Sequence, residues 1–162
     1  MNYKKIEKAW DKYTEGWFGT IVYLFLGFLI AYGVNFALGV ILGTDTPVVA
    51  VFSESMEPTF YKGDMLIVYG EKNVKVGDVV VFDVPDRQYP IIHRVYSMNN
   101  GLITTKGDNN AGPDSWQTKK DNVHGKAILK IPILGWVKIE FQDYVVPILD
   151  GIRSIFVTII GF

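Results

Sequence analysis

The apolar residues of this 162-residue chain form one long run near the start and several short runs after it. No charged residue occurs between positions 16 and 44. At about 1.5 Å per residue, a helix over this run is long enough to cross the roughly 30 Å hydrocarbon layer of a bilayer. Tyr13 and Trp17 lie where the aromatic residues of a membrane interface are expected. The pattern predicts a membrane-spanning helix over residues 17–43.

Two other interpretations of this run fit its length less well. A helix buried in a soluble domain is rarely apolar on every face over such a distance. A cleaved signal peptide has an apolar core of about 7–15 residues followed by a small-x-small exit. Here Ala31 and Ala37 lie inside the run and not after it. We therefore expect a retained signal anchor.

The residues on either side of the run predict its orientation in the membrane. Four lysines precede it, namely Lys4, Lys5, Lys8 and Lys12, whereas Asp45 is the first charged residue after it. Cytoplasmic flanks carry the excess of Lys and Arg. We expect residues 1–16 to be cytoplasmic and the chain from residue 45 onward to lie outside, beside the lipid bilayer.

Between residues 45 and 140 the pattern changes to short apolar runs separated by turn residues, which indicates β-strands. The predicted strands are 48–52, 65–69, 78–84, 91–97, 102–106 and 123–131. Asn100-Gly101, between two of these runs, is typical of a tight hairpin. We therefore predict a mainly β fold, with a small coiled-sheet or barrel-like domain behind the N-terminal transmembrane helix.

The last apolar segment, residues 144–162, contains two charged residues, Asp150 and Arg153. A charge near the bilayer centre costs roughly 2.5–3.5 kcal/mol, although two charges three residues apart on a helix partly offset each other. We expect this segment to lie in the membrane interface. A second membrane crossing and packing against the N-terminal helix are the alternatives.

Composition excludes several classes of function. The net charge of −1 offers no positive surface for nucleic acid. The absence of cysteine excludes a thiol nucleophile, a disulfide and a cysteine-ligated metal. Two histidines without an i, i+4 spacing make a metal site improbable, so no cofactor is predicted.

A candidate nucleophile stands at the end of the first predicted strand. Ser53-Glu54-Ser55 follows the apolar run, and Pro58 prevents the strand from continuing. Ser55 is therefore expected at a strand end, where its side chain can face a cleft. Most such serines only bond their own backbone. A catalytic role requires a base and an acid elsewhere in the chain.

The search for a base is short because the chain has only two histidines. His93 lies in a predicted strand and is the preferred base, whereas His124 lies near a turn and is expected to face solvent. Asp108 and Asp114 are the candidate acids. A serine needs a base to become nucleophilic, and the base needs an acid that fixes its tautomer. From the residues alone, the choice between the two acids stays open.

Five sequence blocks behind the predicted anchor resemble the box pattern of type I signal peptidases. In chain order they are SESMEP (53–58), KGD (62–64), GDVVVF (77–82), IIHRV (91–95) and KGDNN (106–110). Each block alone is weak, but the five in this order are specific. Bacterial members of this family pair the serine with a lysine, whereas archaeal and endoplasmic-reticulum members have histidine at that place. His93 therefore resembles the second branch.

The resemblance implies a membrane-bound serine endopeptidase that removes signal peptides from exported preproteins after small residues at −1 and −3. In that case Ser55 is the nucleophile, His93 the general base and Asp114 the orienting acid, while Asp108 is a functionally important neighbour that holds its loop. Ser53 and the Ser55 amide form the oxyanion hole. The implied partners are preprotein signal peptides, the lipid bilayer and accessory membrane subunits, in the cell membrane or the endoplasmic-reticulum membrane.

Two rival hypotheses remain. A non-enzymatic scaffold subunit, tethered to the membrane, would account for the anchor and the strands. A Ser–Lys protease would use Lys62 or Lys106 as its base. In the preferred hypothesis, the walls of the substrate pocket come from apolar residues beside the motifs, namely Val51, Phe52, Met56 and Ile92.

Overall fold

The N-terminal apolar run forms one helix, α1, over Gly16–Leu42. The computed structural model describes residues 16–85, 87 and 89–160, so the lysine-rich residues 1–15, and Tyr13 among them, lie outside its described part. Within the described residues, α1 is the one helix long and apolar enough to cross a membrane, and its apolar stretch is not buried by protein. The predicted helix is therefore confirmed.

The following part of the chain is a single sheet of seven strands. Their bounds are Val48–Ala50 (β1), Met65–Tyr69 (β2), Val79–Phe82 (β3), Ile91–Asn99 (β4), Leu102–Lys106 (β5), Gln117–Lys119 (β6) and Val123–Ile131 (β7). The spatial order is β1-β2-β7-β3-β4-β5-β6, and every neighbouring pair is antiparallel. The sheet curves into a half-barrel whose two edges are β1 and β6, which confirms the predicted mainly β fold.

The β4–β5 hairpin turns where the sequence predicts it. Asn100 and Gly101 both have positive φ, at 49° and 79°, as a two-residue turn of this kind requires. Strand β6 was not predicted, because its three residues contain no apolar run. Its central residue, Thr118, is buried and pairs with Ile103 of β5. Tertiary pairing, and not local pattern, makes this segment a strand.

The core lies on both faces of the central strand β3, whose four residues are all buried. Val80 packs with Phe82, Val95 and Ile103 in one apolar cluster, whereas its neighbour Val81 belongs to a second. Successive residues of a strand point to opposite faces, so β3 joins the two clusters. Strand β4 pairs directly with it, and this fixes the position of His93 opposite Val80.

The C-terminal part of the chain is helical. After β7 come α2 (Gly135–Glu140), a π-helical turn (Phe141–Val145) and α3 (Val146–Ile160). The predicted segment 144–162 begins in the π-helical turn and continues through α3, with residues 161 and 162 outside the described part of the chain.

Helix α2 braces the beginning of the sheet. The Gly135 amide donates to the Gly63 carbonyl (2.9 Å), and Lys138 Nζ donates to the Val48 carbonyl (3.1 Å). Burial lowers the pKa of Lys138. Gly63 has φ +91° and lies against the Trp136 ring, so a side chain at this position would meet both backbone strain and the indole. The loop between β1 and β2 is thereby held at its far end.

Candidate active site

Ser55 lies in the loop between β1 and β2. Just beyond β1, Val51 still pairs with the opposite side of this loop: its amide donates to the Asp64 carbonyl, and its carbonyl accepts from the Gly63 amide, both at 2.9 Å. The chain then turns away from the sheet. The Ser55 carbonyl accepts the Asn109 amide at 2.9 Å, so the β5–β6 loop holds the serine from outside.

His93 lies directly in front of this serine. It is the third residue of β4 and only 6% exposed. Its Nε2 atom lies 3.1 Å from Ser55 Oγ. Because β4 is paired on both sides, by β3 and by β5, the imidazole is carried by an interior strand of the sheet.

Asp114 lies on the other side of the imidazole. Its Oδ2 atom is 2.6 Å from His93 Nδ1, and its carboxylate side chain is 4% exposed. A carboxylate accepts hydrogen bonds and does not donate them, so Nδ1 of His93 carries the ring proton. Nε2 of His93 can therefore accept a hydrogen bond. The serine hydroxyl is the group in reach of Nε2. The three side chains therefore form a continuous hydrogen-bonded series from hydroxyl to carboxylate.

Asp108, the second candidate acid, is bound elsewhere. It accepts two hydrogen bonds from Arg94, from Nε at 2.8 Å and from Nη2 at 2.6 Å, and a third from the Thr59 hydroxyl at 2.5 Å. The Arg94 guanidinium lowers the pKa of Asp108 against the opposing effect of burial, and Asp108 in turn raises the pKa of Arg94. His93 and Arg94 are consecutive in a strand, so they project to opposite faces of the sheet. His93 therefore contacts Asp114, whereas Arg94 binds Asp108.

Ser53 lies beside the candidate nucleophile. Its Oγ atom is 3.0 Å from Ser55 Oγ, and both side chains reach solvent at the cleft. A hydroxyl in this position can donate to an oxygen that develops negative charge near Ser55.

These groups open into a cleft of about 540 Å³. The apolar residues predicted as pocket walls, Val51, Phe52, Met56 and Ile92, all line it. The Phe52 ring also stacks on Tyr89, with centroids 5.2 Å apart. Sequence reasoning did not include Tyr89 or Trp116, which lie on the same walls. A Tyr-Pro pair immediately before a strand that carries a catalytic candidate was the available signal for Tyr89.

The remaining candidate bases lie away from Ser55. His124 was predicted to face solvent, and this was wrong: its side chain is 20% exposed and its Nε2 lies 3.0 Å from Asp83 Oδ2, at ion-pair distance but without hydrogen-bond geometry. Lys62 Nζ lies over the Trp136 ring, and Lys106 lines a different cavity. Neither lysine is hydrogen-bonded to Ser55, and the described residues contain no His, Asp and Glu group that could hold a metal ion.

The family model and the relatives that match this chain are all peptidases or catalytic subunits of a peptidase complex. The family model of S24-like peptidases matches residues 33–129. The signal peptidase complex catalytic subunit SEC11 of Scheffersomyces stipitis is 36% identical over 122 residues, which is 67% of this chain and 74% of that protein. SEC11 of Zygosaccharomyces rouxii is 37% identical over 137 residues, or 75% of this chain and 82% of that protein. Human SEC11C is 41% identical over 120 residues, which is 65% of this chain and 62% of the human protein's length.

Proposed function

On the premise that the chain belongs to the S24-like peptidases, as a type I signal peptidase of the archaeal and endoplasmic-reticulum type, we propose that it removes signal peptides with Ser55, His93 and Asp114 as its catalytic residues. The observation that carries this assignment is the series of contacts from Ser55 Oγ to His93 Nε2 (3.1 Å) and from His93 Nδ1 to Asp114 Oδ2 (2.6 Å). The nucleophile, the general base and the orienting acid are hydrogen-bonded to one another in the spatial order that a serine hydrolase uses.

In this mechanism, Ser55 Oγ attacks the scissile carbonyl carbon while His93 Nε2 takes the hydroxyl proton. Asp114 holds the imidazole through Nδ1 and stabilises the imidazolium that forms. The tetrahedral intermediate then breaks the C–N bond, and the imidazolium gives its proton to the leaving amine of the mature protein. A water molecule, activated by the same imidazole, hydrolyses the acyl ester and releases the signal peptide with a free carboxylate.

The charge on the tetrahedral oxygen requires donors. We assign this role to the Ser53 hydroxyl and the Ser55 amide, because Ser53 Oγ lies 3.0 Å from the attacking oxygen. Donors that are already in place when the charge develops contribute roughly 3–4 kcal/mol to the transition state.

The substrate fits this cleft as an added strand. Strand β1 is an edge of the sheet, and Val51 directs both its backbone groups toward Asp64 and Gly63. In an antiparallel strand the next residues in each direction, Ala50 and Phe52, then direct theirs to the open side. An extended segment that pairs there places alternate side chains against the wall formed by Phe52 and Ile92, which favours small residues at −1 and −3.

The membrane position of the enzyme follows from α1. We propose a single-pass protein with residues 1–16 in the cytoplasm and the catalytic domain outside, in the cell membrane or the endoplasmic-reticulum membrane. Anchoring confines enzyme and preprotein to the same thin layer and so raises their effective concentration. Its relatives are named as subunits of a signal peptidase complex, and accessory membrane subunits are proposed as partners on that basis.

Three substitutions test the assignment in the full chain, purified in detergent and assayed for cleavage of a preprotein to a defined N-terminus. Ser55→Ala and His93→Ala should each remove nearly all turnover, and His93→Lys should not restore it. Ser97→Ala, on the same strand as His93, is the control. A protein with no activity to lose would support the scaffold hypothesis, and full activity of His93→Ala would support a Ser–Lys mechanism.

A further inference from the structure

The candidate site contains a buried hydroxyl to which the family resemblance gives no role. Thr105 lies in β5 opposite Val95 of β4 and is 1% exposed. Its Oγ1 atom lies 2.5 Å from Asp114 Oδ2, the same oxygen that His93 Nδ1 reaches at 2.6 Å. Because the carboxylate only accepts, the threonine hydroxyl must donate to it.

Thr105 and Asp114 are joined twice. The Asp114 amide donates to the Thr105 carbonyl at 2.8 Å, in addition to the bond between the two side chains. The rest of the loop offers Asp114 little support, since residues 111–113 and 115 are all exposed. The terminal torsion of an aspartate is broad, whereas the χ1 angle of a β-branched residue in a strand is restricted. The rigid partner in this pair is therefore Thr105.

We propose that Thr105 is a positioning residue of the reaction: its hydroxyl fixes the Asp114 carboxylate so that Oδ2 faces the imidazole. This proposal rests on the proposed function, in which His93 is the base. It predicts a defect in the chemical step and not in substrate binding, because Thr105 does not line the cleft. A hydrogen bond to a charged group corresponds to about tenfold or more in an equilibrium or rate.

The test compares Thr105→Val, which removes the hydroxyl at nearly constant shape, with Thr105→Ser, which retains it. Preprotein cleavage is measured with the full chain in detergent, and kcat is expressed per active site after titration with a serine-directed reagent. Thr105→Val should lower kcat about tenfold or more with KM little changed, and Thr105→Ser should restore most of the loss. If Val at this position prevents folding, Thr105→Ala provides the same comparison.

Thr118→Val is the matched control. Thr118 is also a buried threonine of this sheet, on the neighbouring strand β6, and within the described residues its hydroxyl has no hydrogen-bond partner. A kcat per active site equal to that of the parent in Thr105→Val, or a serine variant as slow as the valine variant, would overturn the proposal. Ser55→Ala, assayed in parallel, separates this failure from a failure of the proposed function, because an active Ser55→Ala enzyme would overturn both.

Discussion

At the scale of single residues, two consecutive residues of β4, His93 and Arg94, bind different aspartates. His93 projects toward Ser55 and takes Asp114, while Arg94 projects to the other face and takes Asp108. The sequence offered both acids to the histidine and could not choose between them by spacing. Which aspartate contacts His93 depends on which face of β4 each residue of the β5–β6 loop lies against. This is set by how the strands pair in the folded sheet.

A pH profile tests the role of the imidazole. An imidazolium cannot accept the serine proton, so turnover should fall as the pH is lowered from 8 to 5. The measurement is kcat/KM for preprotein cleavage across this range, with folding followed by circular dichroism in the same buffers. A flat profile would contradict the assignment of His93 as the general base.

The oxyanion assignment predicts a different pattern of kinetic loss. Ser53→Ala should lower kcat by roughly 10²–10³-fold, the range found when one donor of an oxyanion hole is removed. Substrate binding should change little, because the donor acts on charge that appears only during the reaction. Comparison of kcat and KM with those of Ser97→Ala checks this. A Ser53→Ala enzyme with parental kcat would remove Ser53 from the oxyanion hole.

At the scale of elements, the loop between β5 and β6 connects several parts of the site. It supplies Asp114 to the imidazole, Asp108 to Arg94 and the Asn109 amide to the Ser55 carbonyl. The β5–β6 loop is therefore one of the contacts between the β1–β2 loop, which carries Ser55, and the central strands. Removal of any of these contacts should affect the geometry at Ser55 as well as stability.

The Arg94–Asp108 pair gives this connection a defined dependence on pH. Hydrogen bonding from Arg94 holds the pKa of Asp108 below its usual value, so the pair stabilises the fold at neutral pH. This contribution is complete above about pH 5, where an unfolded aspartate is almost fully ionised, and is lost as the pH falls through the lowered pKa. It is therefore still present at pH 5, where the activity of the enzyme should already be reduced.

The Asp108→Asn variant tests whether the ionised pair stabilises the fold at neutral pH and loses this effect in acid. At pH 7 the variant should lose about 1–2 kcal/mol of unfolding free energy, since the pair is partly exposed. The difference from the parent should shrink as the pH falls below 4. Urea unfolding at pH 7, 5 and 3 provides the measurement, and Asp121→Asn, an exposed aspartate, provides the control. A difference that grew toward acid would contradict the stabilising role of the ionised pair.

The elements themselves differ in how far their sequence determines them. Helix α1 and the strands around β3 follow from long or strongly apolar runs, and the β4–β5 turn follows from Asn100-Gly101. Strand β6 has no local signal, because its pairing with β5 comes from the fold. The position of His124 beside Asp83 likewise depends on two segments that are distant in the chain. The local sequence pattern identifies helices and strands, whereas the partners of individual side chains depend on how the strands pair in the folded protein.

At the scale of the whole molecule, the proposed orientation can be tested because the chain contains no cysteine. A single reporter thiol can be placed on each side of the predicted span, by Asn2→Cys before it and Lys119→Cys after it. A membrane-impermeant maleimide should label Lys119→Cys in intact spheroplasts and should label Asn2→Cys only after permeabilisation. Labelling of Asn2→Cys alone in intact cells would reverse the orientation.

The brace between α2 and the β1–β2 loop has a consequence for the time at which the enzyme acquires activity. The Gly135 amide and the Lys138 ammonium group that hold Gly63 and Val48 come late in the chain. A ribosome must therefore translate about eighty residues beyond Ser55 before the β1–β2 loop, which carries Ser55, has its last supports. We expect nascent chains that end before Gly135 to lack these two contacts, so that cleavage activity appears only after this part of the chain has been made.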